Sequence, residues 1–358
     1  MNLLSQNFLK QEAITLLKDL IKIPSYSREE DKTADLLFTF LEKKNVKPSR
    51  QGNNVWAKNL YFDKSKPTIL LNSHHDTVKP NGKWTVPPHD TTVEKGKLTG
   101  LGSNDAGGAL VALGATFLWF YDKQNLPFNL IYAGTAEEEI SGENGVKSIL
   151  GELGDIAFAI VGEPTGMELA IAEKGLMVLD CTAYGKSGHA ARNEGINAIT
   201  KAMESIEWFN TYSFMNESET LGPVRMSVTQ ISAGTQHNVV PASCQFVVDV
   251  RTTDAYTNEE VLDIINKCVS CEVTPRSTRL QPSGIPMDHP AVISAQALGF
   301  KTFGSATLSD QALLPFHSVK MGPGLSERSH TADEFIYLKE IEEGIELYIK
   351  WLSSIKEL

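Results

Sequence analysis

Cysteine is scarce in this chain: Cys181, Cys244, Cys268 and Cys271 are its four cysteines among 358 residues. That excludes a disulfide framework. Cys268 and Cys271 form one C-x-x-C, but a zinc site of that kind needs a second pair or a histidine pair nearby, and none is in register. Runs of basic residues are missing as well. The formal net charge is -11, so the clustered Lys and Arg that bind phosphate backbones, and with them nucleic acid as a partner, are excluded. No apolar run is long: the most apolar helical stretch, Ala106 to Tyr121, is bounded by Asp105 and Asp122 and falls short of the ~20 residues that span a bilayer. The N-terminus has no basic start leading into an unbroken apolar core, so the expectation is a cytoplasmic protein without a signal peptide or membrane partner. Internal repeats and low-complexity tracts are likewise lacking. What remains is an ordinary globular composition, 41% hydrophobic and 22% charged, long enough for two domains.

The first third alternates helical and strand patterns. Apolar spacing of three and four predicts helices over Phe8 to Lys22 and Glu29 to Lys44. Three continuous apolar runs follow, "TILLNS", "FNLIYAG" and "IAFAIVG", each succeeded at once by a polar cluster: "HHDTV", "TAEEE" and "EPTG". Unalternating strands between helices imply an α/β layer with a sheet buried on both faces. Ligands bind beyond the carboxyl ends of such strands, which is where the polar clusters stand. From about Gly175 the order becomes βαββαβ, the ferredoxin-like pattern of a compact inserted domain, ending near the linker "QPSGIPMDHP". The predicted boundaries are 1–174 and 286–358 for a discontinuous first domain and 175–285 for the insert. A last helix is expected after "SHTADEF", where Thr331 and Glu334 have capping-box spacing.

Each polar cluster has a bland reading. His74 and Asp76 lie two apart at a strand end and so point to one side, which lets Asp76 fix the tautomer of a ligating His74; a turn histidine beside a turn aspartate is the alternative. Asp105 in "GLGSNDAGGAL" occupies a place where a dinucleotide fingerprint needs glycine; it fits a helix N-cap, a reading that does not exclude a carboxylate offering one oxygen to each of two cations. Glu137, Glu138 and Glu139 are either a solvated acidic loop or carboxylates kept ionised by cations, one binding metal and its neighbour acting as base. Glu163 ends the third strand and His330 sits in a Gly-rich loop; two histidines among carboxylates suit zinc better than calcium or magnesium.

Taken together, "HHDTV", "GLGSNDAGG", "TAEEEISG", "VGEPT", "GKSGHAA" and "SHTADEF" resemble, in this order and over essentially the whole chain, the di-zinc aminoacylase, acetylornithine deacetylase and carboxypeptidase G family. The resemblance implies a zinc-peptidase-like α/β catalytic domain with a mixed sheet between helices, and an inserted ferredoxin-like domain that serves as lid and dimerisation module. It implies two zinc ions, with cobalt as a substitute: His74 and Glu163 on one, Glu139 and His330 on the other, Asp105 bridging. Asp76 matches the residue that orients the first histidine, Glu138 the general base, and Glu137 a supporting charge. His189 matches an oxyanion donor that reaches across a homodimer, Asn238 a substrate contact, and Arg251 a residue pairing the substrate carboxylate. His75, His89, His237, His289 and His317 receive no role. Many relatives carry Met-Lys-Gly-Gly after the bridging aspartate, where this chain has "AGGAL", so a lysine is missing and the subfamily is left open while every ligand is kept. The implied reaction is hydrolysis of an N-acyl amino acid, foremost N-acetyl- or N-succinyl-ornithine or citrulline in arginine biosynthesis. N-acetyl-lysine, succinyl-diaminopimelate and dipeptides are alternatives on the same scaffold, and a metal-dead binding relative is the reading from another class.

Overall fold

The computed structural model describes residues 5–192 and 194–358. Ser5 caps the helix Gln6–Ile21 by accepting the N–H of Phe8, and Leu9, Ala13, Leu16, Leu17 and Leu20 form its buried stripe. Gly108–Phe120 is buried on nearly every side, as its almost uniformly apolar sequence requires. Among the described residues no helix is long and apolar enough to cross a membrane.

The central sheet is mixed. Its middle holds, side by side and parallel, Asn129–Thr135, Thr68–His74, Phe158–Val161 and Ser318–Lys320, with Asn54–Lys58 antiparallel on one flank and Leu169–Glu173 on the other. Asn129–Thr135 and Thr68–His74 are buried at every position, so their continuous apolar runs are those of strands covered on both faces. Because the four run in one direction, the residues that follow them emerge at a common edge: His74, then Glu137 to Glu139, then Glu163, then the loop leading to His330.

Contacts divide the chain into two compact units, Met1–Ile171 with Gly284–Phe303 and Ser309–Leu358, and Ala172–Ser283 with Gly304–Leu308. The short segment Gly304–Leu308 thus packs with the second unit, although the sequence reading assigns it to the first. The second unit is a four-stranded antiparallel sheet in the order Arg225–Ala233, Ser243–Thr252, Gly175–Tyr184, Glu272–Pro275, with the helices Ala198–Thr211 and Asn258–Cys268. This is the split βαβ order. Its last strand is shorter than "CEVTPRSTRL" implied, ending at Pro275, whose nitrogen has no hydrogen for a ladder. All four cysteines are free.

The C-terminal helix also differs from expectation. It is Leu338–Ser354, and Glu340 closes its start by accepting the Tyr337 N–H at 2.8 Å, whereas Thr331 and Glu334 lie before it. Thr331 instead donates to the Arg328 carbonyl, and Glu334 is buried elsewhere.

Candidate active site

His74 ends its strand with 1% of its surface exposed. Its Nδ1 lies 3.0 Å from the carbonyl oxygen of Asp76 and 3.4 Å from that residue's Oδ1. Its Nε2 faces three further carboxylates, Asp105 Oδ1 at 3.3 Å, Glu163 Oε1 at 3.6 Å and Glu138 Oε2 at 3.8 Å. On the other side Asp105 turns Oδ2 toward His330 Nε2 at 3.5 Å, and His330 Nε2 meets Glu139 Oε2 at 2.9 Å. One aspartate carboxylate therefore stands between two imidazoles, with two glutamates beside His74 and one beside His330. The helix after it starts at Gly108, so Asp105 is not that helix's N-cap.

The three consecutive glutamates separate because the backbone at Glu137 is left-handed (φ 55°). Glu137 points away from the cluster: its carboxylate accepts the N–H of Asn144 at 3.3 Å and the Asn144 Nδ2 at 3.0 Å, and so closes the loop 137–144. A side chain at Gly142 would put its Cβ 1.9 Å from Glu137 Oε2, so this loop closes only over glycine. Glu138 and Glu139 turn into the cluster, their N–H groups held by Asp76 at 3.0 and 3.2 Å, while Ser27 donates to Asp76 at 2.7 Å.

The electrostatics follow from burial. Burial pushes Glu163 up to about 8, His74 opposing and Asp105 adding repulsion. Burial also raises Glu138 well above the usual carboxylate range, only partly offset by His74. Burial resists ionisation of Asp105, but His74 and His330 outweigh it and hold its pKa low. Burial would lower His74, yet the carboxylates of Glu138, Asp105, Asp76 and Glu163 keep its pKa well above the usual value. Carboxylates crowded so closely in a buried place are relieved only by protons or cations. His74, Glu138 and Glu163, and His74, Asp105 and Glu139, each place one ligand atom within 4.8 Å of the others. Imidazole nitrogen and carboxylate oxygen at these separations fit a divalent cation of the zinc class.

Three supports carry no motif of their own. Glu334, 2% exposed, accepts the N–H groups of Asn104 at 2.8 Å, Asp105 at 2.9 Å and Gly102 at 3.3 Å, which fixes the turn presenting Asp105. Asp310 is buried beneath the strand ends and accepts from Asn72 at 2.8 Å and Thr135 at 3.0 Å. Glu30 accepts the N–H of Glu137 at 3.3 Å. The buried His75 bridges Thr33 and the Asn53 carbonyl, each at 2.9 Å, and burial drives its pKa down to about 4.

His189, Asn238 and Arg251 all belong to the second unit. The Asn238 carbonyl accepts the N–H of Ala190 at 3.1 Å, which ties the loops of His189 and Asn238 together. His189 is exposed, and its Nδ1 accepts from the Ala191 N–H at 3.2 Å, so the neutral ring carries its proton on the open Nε2. Arg251 is engaged bidentately by Asp249.

Comparisons with known proteins agree with this arrangement. Peptidase family M20/M25/M40 matches residues 70–354. An acetylornithine deacetylase from Proteus mirabilis is 29% identical over 93% of this chain and 94% of its own. A succinyl-diaminopimelate desuccinylase from Orientia tsutsugamushi is 29% identical over 76% and 78%. Among solved structures, the aminopeptidase PepT from Bacillus cereus superposes with a TM-score of 0.77 at 17% identity, covering 97% of this chain and 99% of that one. A Bacillus subtilis protein described as a dinuclear metal binding peptidase of the M20 family superposes with a TM-score of 0.74 at 17% identity, covering 98% and 100%. The chain belongs to peptidase family M20/M25/M40 and is a metal-dependent amidohydrolase.

Proposed function

We propose that the chain hydrolyses the amide bond of an N-acyl amino acid, with N-acetyl- or N-succinyl-ornithine or citrulline as the first substrates to consider. The observation that carries this reading is the Asp105 carboxylate set between His74 and His330, with Glu138 beside it. The deacetylase and desuccinylase names of relatives at 29% identity support the substrate class.

In this reading His74 and Glu163 would hold one zinc ion and Glu139 and His330 a second, with Asp105 available to each. When bound, the ions supply Lewis-acid polarisation of the amide carbonyl and an acidified water. Glu138 takes the proton of the attacking water and returns it to the leaving amine. His189 donates its Nε2 proton toward the oxyanion. Arg251 pairs with the substrate carboxylate and Asn238 contacts the substrate. A homodimer is part of the proposal: the edge strand Arg225–Ala233 exposes Ile231 (58%), and the helix Ala198–Thr211 exposes Met203 (61%). The setting is the cytoplasm, in arginine biosynthesis.

The test is a hydrolysis panel of N-acetyl and N-succinyl derivatives of ornithine, citrulline, lysine and diaminopimelate, plus dipeptides, with metal content measured on the same samples. Up to two zinc ions per chain and a clear preference in kcat/KM for one N-acyl amino acid are expected. Glu138→Ala should keep its metal and lose roughly 10²- to 10⁴-fold in kcat. Activity that survives exhaustive chelation, or near-normal turnover by Glu138→Ala, overturns the mechanism.

A further inference from the structure

Asp105 lies in the turn 102–105 and His330 in the loop 324–334, and both belong to the first unit. The two segments come from distant parts of the chain, so something must set the distance between them. His330 has left-handed backbone (φ 59°), a conformation uncommon for a residue with a side chain. Such a residue keeps its place only where the surrounding chain over-determines it.

After His330, Glu334 supplies part of that constraint by accepting the N–H groups of Gly102, Asn104 and Asp105. Before His330 the constraint comes from the side chain of Asn104, which is fully buried. Its Nδ2 donates to the Leu325 carbonyl at 3.0 Å and to Ser329 Oγ at 3.3 Å, while its Oδ1 accepts the Leu325 N–H at 3.0 Å. Both amide hydrogens and the amide oxygen are thus committed to the stretch 325–329. Gly324, left-handed at φ 91°, could not carry a side chain here, because its Cβ would collide with Asn104 Oδ1. The loop therefore closes on this amide without slack. The other half of the site has a different footing: His74 and Glu163 follow the strands Thr68–His74 and Phe158–Val161, which pair with each other.

We propose that Asn104 is a positioning residue that fixes His330 relative to Asp105, so that affinity for the second cation depends on Asn104 while affinity for the first does not. This rests on the reading of Glu139 and His330 as ligands of a second ion. Asn104 touches neither ion nor substrate in this scheme; it acts by tying the loop that carries His330 to the turn that carries Asp105.

The test is cobalt(II) titration of metal-free wild type, Asn104→Ala, Gly324→Ala and His330→Ala, followed by visible absorption, with amide hydrogen exchange measured on the same metal-free samples. Wild type should take up two ions, and His330→Ala identifies the step to which His330 contributes. Asn104→Ala should weaken that step by roughly 10- to 100-fold, the usual loss when a partner behind a metal ligand is removed, and leave the other step unchanged. Gly324→Ala, which presses a methyl group against an intact Asn104, should show the same selective loss; should Asn104→Ala fail to fold, it decides alone by the same criteria. Exchange should quicken over 325–330 and match wild type over 68–74. Unchanged binding, or equal weakening of both steps, overturns the inference. If wild type takes up fewer than two ions, the two-cation reading fails instead, and exchange decides: quickening confined to 325–330 supports the tether, and wild-type exchange there overturns it.

Discussion

Asp76 accepts the backbone N–H of Glu138 at 3.0 Å. Through its other oxygen it holds the N–H of Glu139 at 3.2 Å, and it faces His74 Nδ1 at 3.4 Å. One carboxylate therefore sets the orientation of the histidine and the geometry of the turn that presents both glutamates. Burial opposes its ionisation, but hydrogen bonds with His74 and Ser27 keep its pKa below the usual value.

Asp76→Asn retains one acceptor oxygen and loses the other. Loss of such an outer partner is expected to lower metal affinity and kcat by roughly 10- to 100-fold each, read by titrating metal into the metal-free protein and by steady-state kinetics. Wild-type values for both would show that the Glu138 turn and His74 hold their places without it.

Glu334 offers a second test of the same kind. In Glu334→Gln an NH₂ group replaces one of the oxygens that accept from Gly102, Asn104 and Asp105. Metal affinity of the metal-free protein should fall by roughly 10- to 100-fold, with kcat on the reloaded enzyme falling and KM little changed. A variant with unaltered affinity would mean that the 102–105 turn is rigid by itself.

Asp310 predicts a pH effect. Burial pushes its pKa from 3.8 to about 6, against the hydrogen bond from Asn72 and the charge of His74. The folded protein then keeps a proton that the unfolded chain releases across that window, so this residue's contribution to stability declines as pH rises from about 4 to about 6. Asp310→Asn keeps an acceptor for Asn72 and Thr135 without the charge. In denaturant melts of the metal-free protein, wild type should lose stability relative to Asp310→Asn over that range, with a constant gap above it. Parallel curves throughout would show that Asp310 ionises at no cost.

His189 tests the dimer. His189→Ala and Asp105→Ala should each be nearly inactive. If His189 serves the partner's site, mixing them should restore up to about a quarter of wild-type activity, because half the dimers are mixed and each has one intact site. No recovery, with subunit exchange demonstrated, would assign His189 to its own chain.

The sequence made the inner layer of the site legible and hid the layer behind it. His74, Asp105, Glu138, Glu139, Glu163 and His330 follow apolar strands or lie in Gly-rich loops, and the structure brings all six together. Glu334 went unread because its partners are backbone amides some 230 residues away, which leave no residue-type signature. Its spacing from Thr331 mimics a capping box, while the helix that follows is closed by Glu340 accepting the Tyr337 N–H. Asn72 and Thr135 sit inside apolar strands, so nothing in those runs announced that Asp310 would meet them. Glu137, which the resemblance matches to a supporting charge, ties the loop back by accepting from Asn144.

The strand Ser318–Lys320 enters the middle of the sheet beside Phe158–Val161, although the whole of the second unit's sequence and several further elements lie between them in the chain. Sequence separation of this kind delays closure, because loop entropy is spent before any pairing rewards it. During synthesis the first three parallel strands can collapse early, but the loop that brings His330 and Glu334 leaves the ribosome long after them. The nascent chain thus carries His74, Asp105 and Glu163 for nearly half of its translation without a complete cage, and the capacity to retain a cation tightly is among the last properties the protein acquires.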